Sequence, residues 1–181
     1  MSTPPPAANP PSRTRPFSDV PELGRRAAEL LLTPNAMAPL SLEDASVVVA
    51  HMRLVTYARG VVMMHEGEKQ HLDHMLLVLE GQVSVSSQPP GGGPSIEISV
   101  LGPGALIGEM ALLDNAPRST TCTALTSIQA AGMSRKAMEL LLERHPGVAA
   151  RLMVGLCCRL SERLRAMSDQ LRLSATIAPG R

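Results

Sequence analysis

The stretch from Leu101 to Ala124 determines how this chain is interpreted; it reads L-G-P-G-A-L-I-G-E-M-A-L-L-D-N-A-P-R-S-T-T-C-T-A. A Gly-Pro-Gly turn and a short apolar step lead to Gly108, after which a helix-forming run begins. Gly108 allows a ligand to approach the backbone closely, and the N–H groups that follow start a one-turn helix whose N-terminus favours anions. Arg118 can return to the same place and direct two donors at phosphate oxygens.

The side chains around this turn suit a sugar that carries a phosphate. Glu109 stands beside the predicted anion site, where an isolated carboxylate would be repelled. We therefore expect Glu109 to accept hydrogen bonds from ligand hydroxyls and to pair with a cation. Ser119 and Thr120 directly follow Arg118 and add two hydroxyl groups.

The stretch resembles the phosphate-binding cassette of the cyclic-nucleotide-binding domain family. In that family a hydrophobic residue and Gly-Glu precede several apolar or small residues, and a variable turn then leads to Arg and two small or hydroxyl residues. The chain matches this pattern with I-G-E-M-A-L-L at 107–113 and P-R-S-T at 117–120. The resemblance covers about residues 38–172. It implies a mainly β fold, an eight-stranded double-stranded β-helix (jelly-roll) barrel with N-terminal helices and a long C-terminal dimerisation helix.

The resemblance also implies a role for each residue of the cassette. Backbone N–H groups at and after Gly108 would face the ligand, Glu109 would accept the ribose 2′-hydroxyl, and Arg118 would hold the cyclic phosphate. The two hydroxyl residues after Arg118 would lie next to the phosphate and the base. The predicted ligand-binding set comprises Ile107, Gly108, Glu109, Met110, Ala111, Arg118, Ser119, Thr120 and Arg163.

The identity of the base stays open between cAMP and cGMP. A hydroxyl directly after the cassette Arg favours cGMP in eukaryotic members, yet Ser at the position of Ser119 also occurs in cAMP-binding bacterial members. In the catabolite-activator branch two hydroxyl residues of the long helix contact adenine, and an ungapped alignment places Arg163 and Leu164 there. Arg163 is therefore either a cap over the base or a solvated surface residue. A cyclic dinucleotide, c-di-GMP, is an alternative ligand.

Composition indicates one domain with appendages and excludes several other classes. The chain has 181 residues, 44% of them hydrophobic and only 1% aromatic, so its core must use aliphatic residues and eleven Met. A formal charge of +1 gives no global field for nucleic acid or membrane surfaces. Three Cys fit a reducing cytosol, and we see neither a transmembrane-length apolar run nor a signal peptide. We predict a cytoplasmic protein.

Four segments are predicted along the chain: a disordered Pro-rich tail at 1–19, the barrel with its N-terminal helices at 20–145, a helix serving as lid and dimer seam at 146–173, and a flexible tail at 174–181. Asp19, Ser41 and Ser134 are predicted helix caps. Predicted helices are Pro21–Leu32, Ser41–Met52, Arg135–Arg144 and Pro146–Arg172. Predicted strands are Arg53–Tyr57, Val61–His65, Met75–Glu80, Gln82–Ser86, Ile96–Leu101, Cys122–Thr126 and Ile128–Met133.

The last helix carries a heptad pattern that predicts a parallel homodimer. Burial of the same apolar positions against the chain's own barrel is the competing explanation, but the family resemblance favours the dimer. The seam positions are Met153, Cys157, Leu160, Leu164, Met167 and Leu171.

Only about nine residues follow Arg172, too few for a helix-turn-helix, so direct DNA binding is not expected. The spacing of His65, His71 and His74 fits no common metal site, and no catalytic set is recognisable, so we expect neither a metal nor an enzyme. The prediction is a stand-alone bacterial receptor that binds a cyclic mononucleotide and signals to an unknown protein partner. The alternative is a scaffold protein with a vestigial pocket.

Overall fold

The computed structural model describes Asn9, Pro11 and residues 13–32, 40–70, 72–89 and 91–177. The strands are β1 (Arg13–Pro16), β2 (Arg53–Tyr57), β3 (Val62–Met64), β4 (His74–Glu80), β5 (Val83–Ser87), β6 (Ile96–Leu101), β7 (Leu106–Ile107), β8 (Thr121–Ala124) and β9 (Ile128–Ser134). The helices are α1 (Pro21–Leu31), α2 (Leu42–Ala50), α3 (Glu109–Asp114), α4 (Arg135–Arg144) and α5 (Pro146–Ile177).

The strands form two antiparallel sheets with the orders β1-β2-β9-β4-β7 and β3-β8-β5-β6. Apart from β1-β2 and β5-β6, the neighbouring strands are not consecutive in the chain, as in the crossed connections of a jelly roll. The predicted mainly β fold with flanking helices is confirmed. Each of the seven predicted strands is present, with its ends displaced by no more than two residues, but β1 and β7 bring the number of strands in the described part of the chain to nine.

Two apolar clusters lie on opposite faces of the five-stranded sheet. Alternation along β4 sends Leu77 and Leu79 toward the helices, whereas Leu76 and Val78 point into the space between the sheets. The helical cluster is mostly Ala, Leu, Val and Met, while the inter-sheet cluster includes Met63, Met64 and a single tyrosine. Aliphatic and Met side chains thus build both cores, as the composition predicted.

The Pro-rich segment is more ordered near its end than the sequence suggested. Strand β1 pairs antiparallel with β2, and Phe17 is buried against the helical cluster. The predicted disorder of 1–19 is therefore wrong for residues 13–19, while most of the earlier residues lie outside the described part. Two contacts explain the difference: β2 offers an open edge for pairing, and burying Phe17 stabilises the turn that follows.

The helix caps are partly as predicted. Ser41 accepts a hydrogen bond from the Asp44 N–H, and the Asp44 carboxylate accepts one from the Ser41 N–H, which makes a capping box. Ser134 accepts from the Ala137 N–H at the start of α4. The Asp19 cap is wrong, because Asp19 belongs to a 3-10 turn and Val20 is the N-cap residue of α1.

Helix α5 runs to Ile177, five residues beyond the predicted end at Arg172. The predicted flexible tail at 174–181 is therefore helical through residue 177, and residues 178–181 lie outside the described part. Over the residues described, no helix is both long enough and apolar enough to cross a membrane. The start of α5 packs on the barrel side through Ala149, Leu152 and Leu156, which are buried in the helical cluster.

An ion pair ties α5 to α2. Arg151 donates from Nε to Asp44 Oδ2 at 2.9 Å and from Nη2 to Asp44 Oδ1 at 2.6 Å, a bidentate arrangement. The hydrogen bonds from Arg151, followed by the one from the Ser41 backbone, lower the pKa of Asp44 to about 2.

We expect Asp44→Asn to destabilise the protein at neutral pH and to lose this effect in acid. A carboxyl group with a lowered folded-state pKa stabilises the fold above its unfolded-state pKa of about 3.9. That contribution disappears as the pH falls from about 4 to about 2. Urea unfolding of both proteins at pH 7 and near pH 3 measures the difference in stability, and an equal difference at both pH values would contradict this role of the ion pair.

Candidate functional site

The cassette lies where β7 turns into α3. Gly108 is the N-cap residue of α3 and has a left-handed backbone with φ of 78°. A Cβ at this position would lie 2.6 Å from Arg118 Nη1 and 2.6 Å from the Met64 methyl group, closer than atoms pack. Glycine is therefore required here for two reasons, its conformation and the closeness of its neighbours.

We expect Gly108→Ala to reduce both stability and ligand binding. Left-handed backbone at a non-glycine residue costs about 1–3 kcal/mol, and the contacts with Arg118 and Met64 add to it. Gly60→Ala is a matched control, since Gly60 has φ of 82° but a Cβ added there would meet no atom within 4 Å beyond its chain neighbours. Thermal unfolding should show a larger loss for Gly108→Ala than for Gly60→Ala, and equal losses would mean that the contacts do not matter.

Arg118 is the most deeply buried cation of the site, with 4% of its surface exposed. Its Nη1 donates to Gly108 O at 2.9 Å and its Nη2 donates to His74 O at 3.1 Å. These two carbonyl groups fix the guanidinium beneath the first turn of α3. Burial lowers the pKa of Arg118 below its ordinary value, and nearby carboxylates, Glu68 first among them, act in the opposite direction.

Glu109 is the buried acid of the same site, with 7% of its surface exposed. Arg163 of α5 reaches across from the long helix and places Nη1 3.4 Å from Glu109 Oε1. The expected cation partner of Glu109 is thus an arginine from α5. Arg163 lines the pocket next to the cassette, while 48% of its side chain is exposed, so it lies at the edge of the pocket between ligand space and solvent.

The pocket brings together every residue of the predicted set. It also has walls that the cassette pattern did not identify, supplied by Met64, Val85, Leu101 and Cys122. Alternation along β5 could have indicated Val85, but nothing in the sequence pointed to Met64, or to Leu101, which shares its face of β6 with Glu97 and Ser99. The residues from the predicted set that line it are Ile107, Gly108, Glu109, Met110, Ala111, Arg118, Ser119, Thr120 and Arg163.

Cys122 is the one thiol among the described residues that line the pocket, and burial raises the pKa of that thiol to about 11, so that it stays protonated at neutral pH. Within the described residues, no three His, Cys, Asp or Glu side chains are grouped so as to hold a metal ion. His71, one of the histidines considered above, lies outside the described residues.

The pocket is narrow in this conformation. Its cavity measures about 30 Å³, whereas sites for small organic ligands usually enclose about 300–1,000 Å³. Arg163 closes one side and the Met64 side chain packs next to Gly108 on the other. A ligand as large as a nucleotide therefore requires these side chains to move outward.

Comparison with known proteins identifies the family to which this domain belongs. The family model described as the cyclic nucleotide-binding domain matches residues 54–145. A CRP-like cAMP-activated global transcriptional regulator of Mycobacterium tuberculosis is 26% identical over 148 residues, which cover 82% of this chain and 60% of that protein. A cyclic nucleotide-gated potassium channel of Mesorhizobium japonicum is 35% identical over 102 residues, 56% of this chain and 26% of the channel.

The chain thus spans no more than about 60% of the length of these two relatives. Among solved structures, a cyclic nucleotide-binding domain from Methylobacillus flagellatus is similar with a TM-score of 0.73 and 27% identity, covering 88% of this chain and 86% of that one. The family match covers half of the chain and includes the turn into α3, the buried Arg118 and Glu109. The chain belongs to the cyclic nucleotide-binding domain family.

Proposed function

We propose that this chain is a cytoplasmic receptor for cAMP or cGMP that acts on a protein partner and is not itself an enzyme. The observation that carries the proposal is the buried Arg118, whose guanidinium is fixed beneath the first turn of α3. A desolvated cation is stabilised by an anion brought beside it. The helix N-terminus and Arg118 together suit one cyclic phosphate, and Glu109 suits a ribose hydroxyl.

Arg163 connects ligand binding with the position of α5. Its contact with Glu109 occupies the carboxylate that the ribose hydroxyl would use. A nucleotide would therefore displace Arg163 from Glu109 and allow it to settle over the base, so that the open and closed pockets have different affinities for the ligand. Such a difference in affinity shifts the equilibrium between two positions of α5.

Helix α5 is also the proposed contact between two copies of the chain. Leu164 is 66% exposed and Met167 is 55% exposed in the single chain, although both belong to the heptad seam. Residues nearer the start of the helix, such as Leu156, are buried against the barrel. The heptad pattern of α5 therefore has a different cause in each part of the helix. Before about residue 157 its apolar positions pack against the chain's own barrel, and beyond that residue we propose that they pair with a second copy of the chain.

Calorimetric titration of the purified protein with cAMP, cGMP and c-di-GMP tests the proposal. We expect micromolar or tighter binding of one cyclic mononucleotide, which would also name the messenger. Tight binding of c-di-GMP alone would replace the proposed ligand. If none of the three nucleotides produces heat or raises the unfolding temperature, the receptor proposal is wrong and the scaffold alternative, with a vestigial pocket, takes its place.

A further inference from the structure

A second and larger cavity, called the interior cavity below, lies away from the cassette against the five-stranded sheet. It measures about 520 Å³ and is open to solvent on one side. Strands of the five-stranded sheet supply most of its lining, Met63 comes from the other sheet, and Asn9, Pro11 and Thr14 come from the N-terminal segment. The Asn9 N–H donates to Val62 O of β3, while Thr14 belongs to β1, so these two lining residues are attached to different sheets. The volume falls within the range of about 300–1,000 Å³ that is typical of sites for small organic ligands.

The two cavities have no lining residue in common among those described. The separation is clearest at two consecutive residues of β3, because Met63 lines the interior cavity and Met64 lines the cassette pocket. Arg118 stands between them, since it donates to Gly108 O on the cassette side and to His74 O on the interior side. The interior cavity is therefore a compartment of its own.

The walls of the interior cavity are mainly apolar. Val55, Tyr57, Met63 and Leu76 are buried side chains of β2, β3 and β4 that face it. The Tyr57 ring is the only aromatic carbocycle among the described lining residues, and burial raises the pKa of its hydroxyl to about 12. A ligand with an apolar body would fill this space, and the Tyr57 ring face would attract a cation.

One carboxylate oxygen in this wall lacks a hydrogen-bond partner. Glu68 is 9% exposed, and among the described residues no group hydrogen-bonds to its buried Oε1 atom. The backbone holds Glu68 in place, because its carbonyl accepts from the Arg118 N–H and its own N–H donates to His65 O. A buried charged oxygen without a hydrogen bond is costly. A donor supplied by a ligand would remove this cost.

The other charged groups near this wall are Asp73, Arg53 and Arg118, and the charge of Arg118 interacts with Glu68. The preference for a donor therefore rests on the buried Glu68 Oε1 atom and not on a net negative charge. Asp73 adds a second carboxylate, and His74 lies 3.6 Å from it through Nδ1. Burial, followed by the nearby Arg118, lowers the pKa of His74, which therefore stays neutral at pH 7. Arg53 is exposed at the rim, and the guanidinium of Arg118 directs its Nη1 and Nη2 atoms to backbone carbonyls.

We propose that the interior cavity is a second ligand site, distinct from the cassette, for a small organic cation with an apolar body. Its ammonium or amidinium group would donate to Glu68 Oε1 while its apolar part packs against Met63, Leu76 and the ring of Tyr57. A neutral alcohol of the same shape could donate one hydrogen bond to the carboxylate but would bring no positive charge, so its contact would be the weaker of the two.

Methyl NMR of the full-length protein, labelled with 13C at the methionine methyl groups, tests the site directly. Benzylammonium is the probe, and benzyl alcohol is its neutral counterpart. We expect benzylammonium to shift the Met63 signal and leave the Met64 signal in place, and to bind at least about tenfold more tightly than benzyl alcohol. Met63→Leu and Met64→Leu assign the two signals. Equal affinity for both probes, or a shift confined to Met64, would overturn the proposal.

A matched pair of variants tests the role of the carboxylate. Glu68→Gln keeps the shape of the side chain and removes its charge, so we expect it to abolish the preference for benzylammonium over benzyl alcohol. Glu80→Gln makes the same change at an exposed residue at the end of β4 and should leave the preference intact. If Glu68→Gln fails to fold, the affinities of the wild-type protein for benzylammonium and for benzyl alcohol still test whether the site prefers a cation. An unchanged preference in folded Glu68→Gln would refute the assignment.

Discussion

Replacing Arg118 with alanine is expected to weaken cyclic nucleotide binding at least about tenfold, because a charge-assisted contact with a phosphate contributes roughly 1.5–3 kcal/mol. No other single side chain of the cassette combines a full positive charge with such deep burial. Its guanidinium is already oriented by the carbonyl groups of Gly108 and His74, so little order has to be gained when the ligand binds. Calorimetric titration with the tightest nucleotide measures the loss.

The same substitution also removes hydrogen bonds that hold the fold. Both carbonyl groups would lose a donor, and an unsatisfied buried polar group costs about 1–3 kcal/mol. Thermal unfolding must therefore accompany each titration. Arg118→Lys serves as a second variant, since it keeps the charge and loses the planar fork that matches a phosphate. We expect it to bind more weakly than the wild type and more tightly than Arg118→Ala.

A control arginine separates the specific effect from a general loss of charge. Arg144 is exposed at the end of α4, distant from the cassette in the chain. Arg144→Ala should bind the nucleotide with unchanged affinity. If Arg118→Ala is folded and binds as tightly as the wild type, then Arg118 is not the phosphate ligand and the proposed site is wrong.

The cassette could be predicted from the sequence because its geometry is local. Gly108, Glu109 and the first turn of α3 lie within a few residues, so their spacing already determines which groups share this turn. Arg118 returns to Gly108 across a turn of ten residues. The strands were predictable for a similar reason, since alternation along β5 or β6 is a property of five or six consecutive residues.

Features that depend on distant residues could not be predicted in this way. The contact of Arg151 with Asp44 joins residues 107 positions apart, and that of Arg163 with Glu109 joins residues 54 positions apart. Strand β1 lacks an apolar alternation of its own and forms because the edge of β2 accepts it. The sequence also could not predict that Glu68 Oε1 is buried without a hydrogen-bond partner among the described residues, because its burial depends on how both sheets assemble.

Replacing both Leu164 and Met167 with glutamate is expected to convert the proposed dimer to a monomer. Both side chains are more than half exposed in the single chain, so the substitutions disturb no packing within it. In a parallel pair of helices, four carboxylates would meet at the seam and repel each other. Light scattering measures the molecular mass, and circular dichroism should remain unchanged.

The control pair is Arg165→Gln with Ala166→Glu, which alters the net charge by the same two units at exposed positions of α5 outside the seam. We expect this variant to remain dimeric, because its new charge faces solvent. A dimer that persists in the seam variant would place the interface elsewhere.

Since Arg163 precedes Leu164 on the same helix and contacts Glu109, nucleotide binding should also change dimer stability in the wild type. An equal dissociation constant of the dimer with and without nucleotide would show that nucleotide binding is not coupled to the dimer seam.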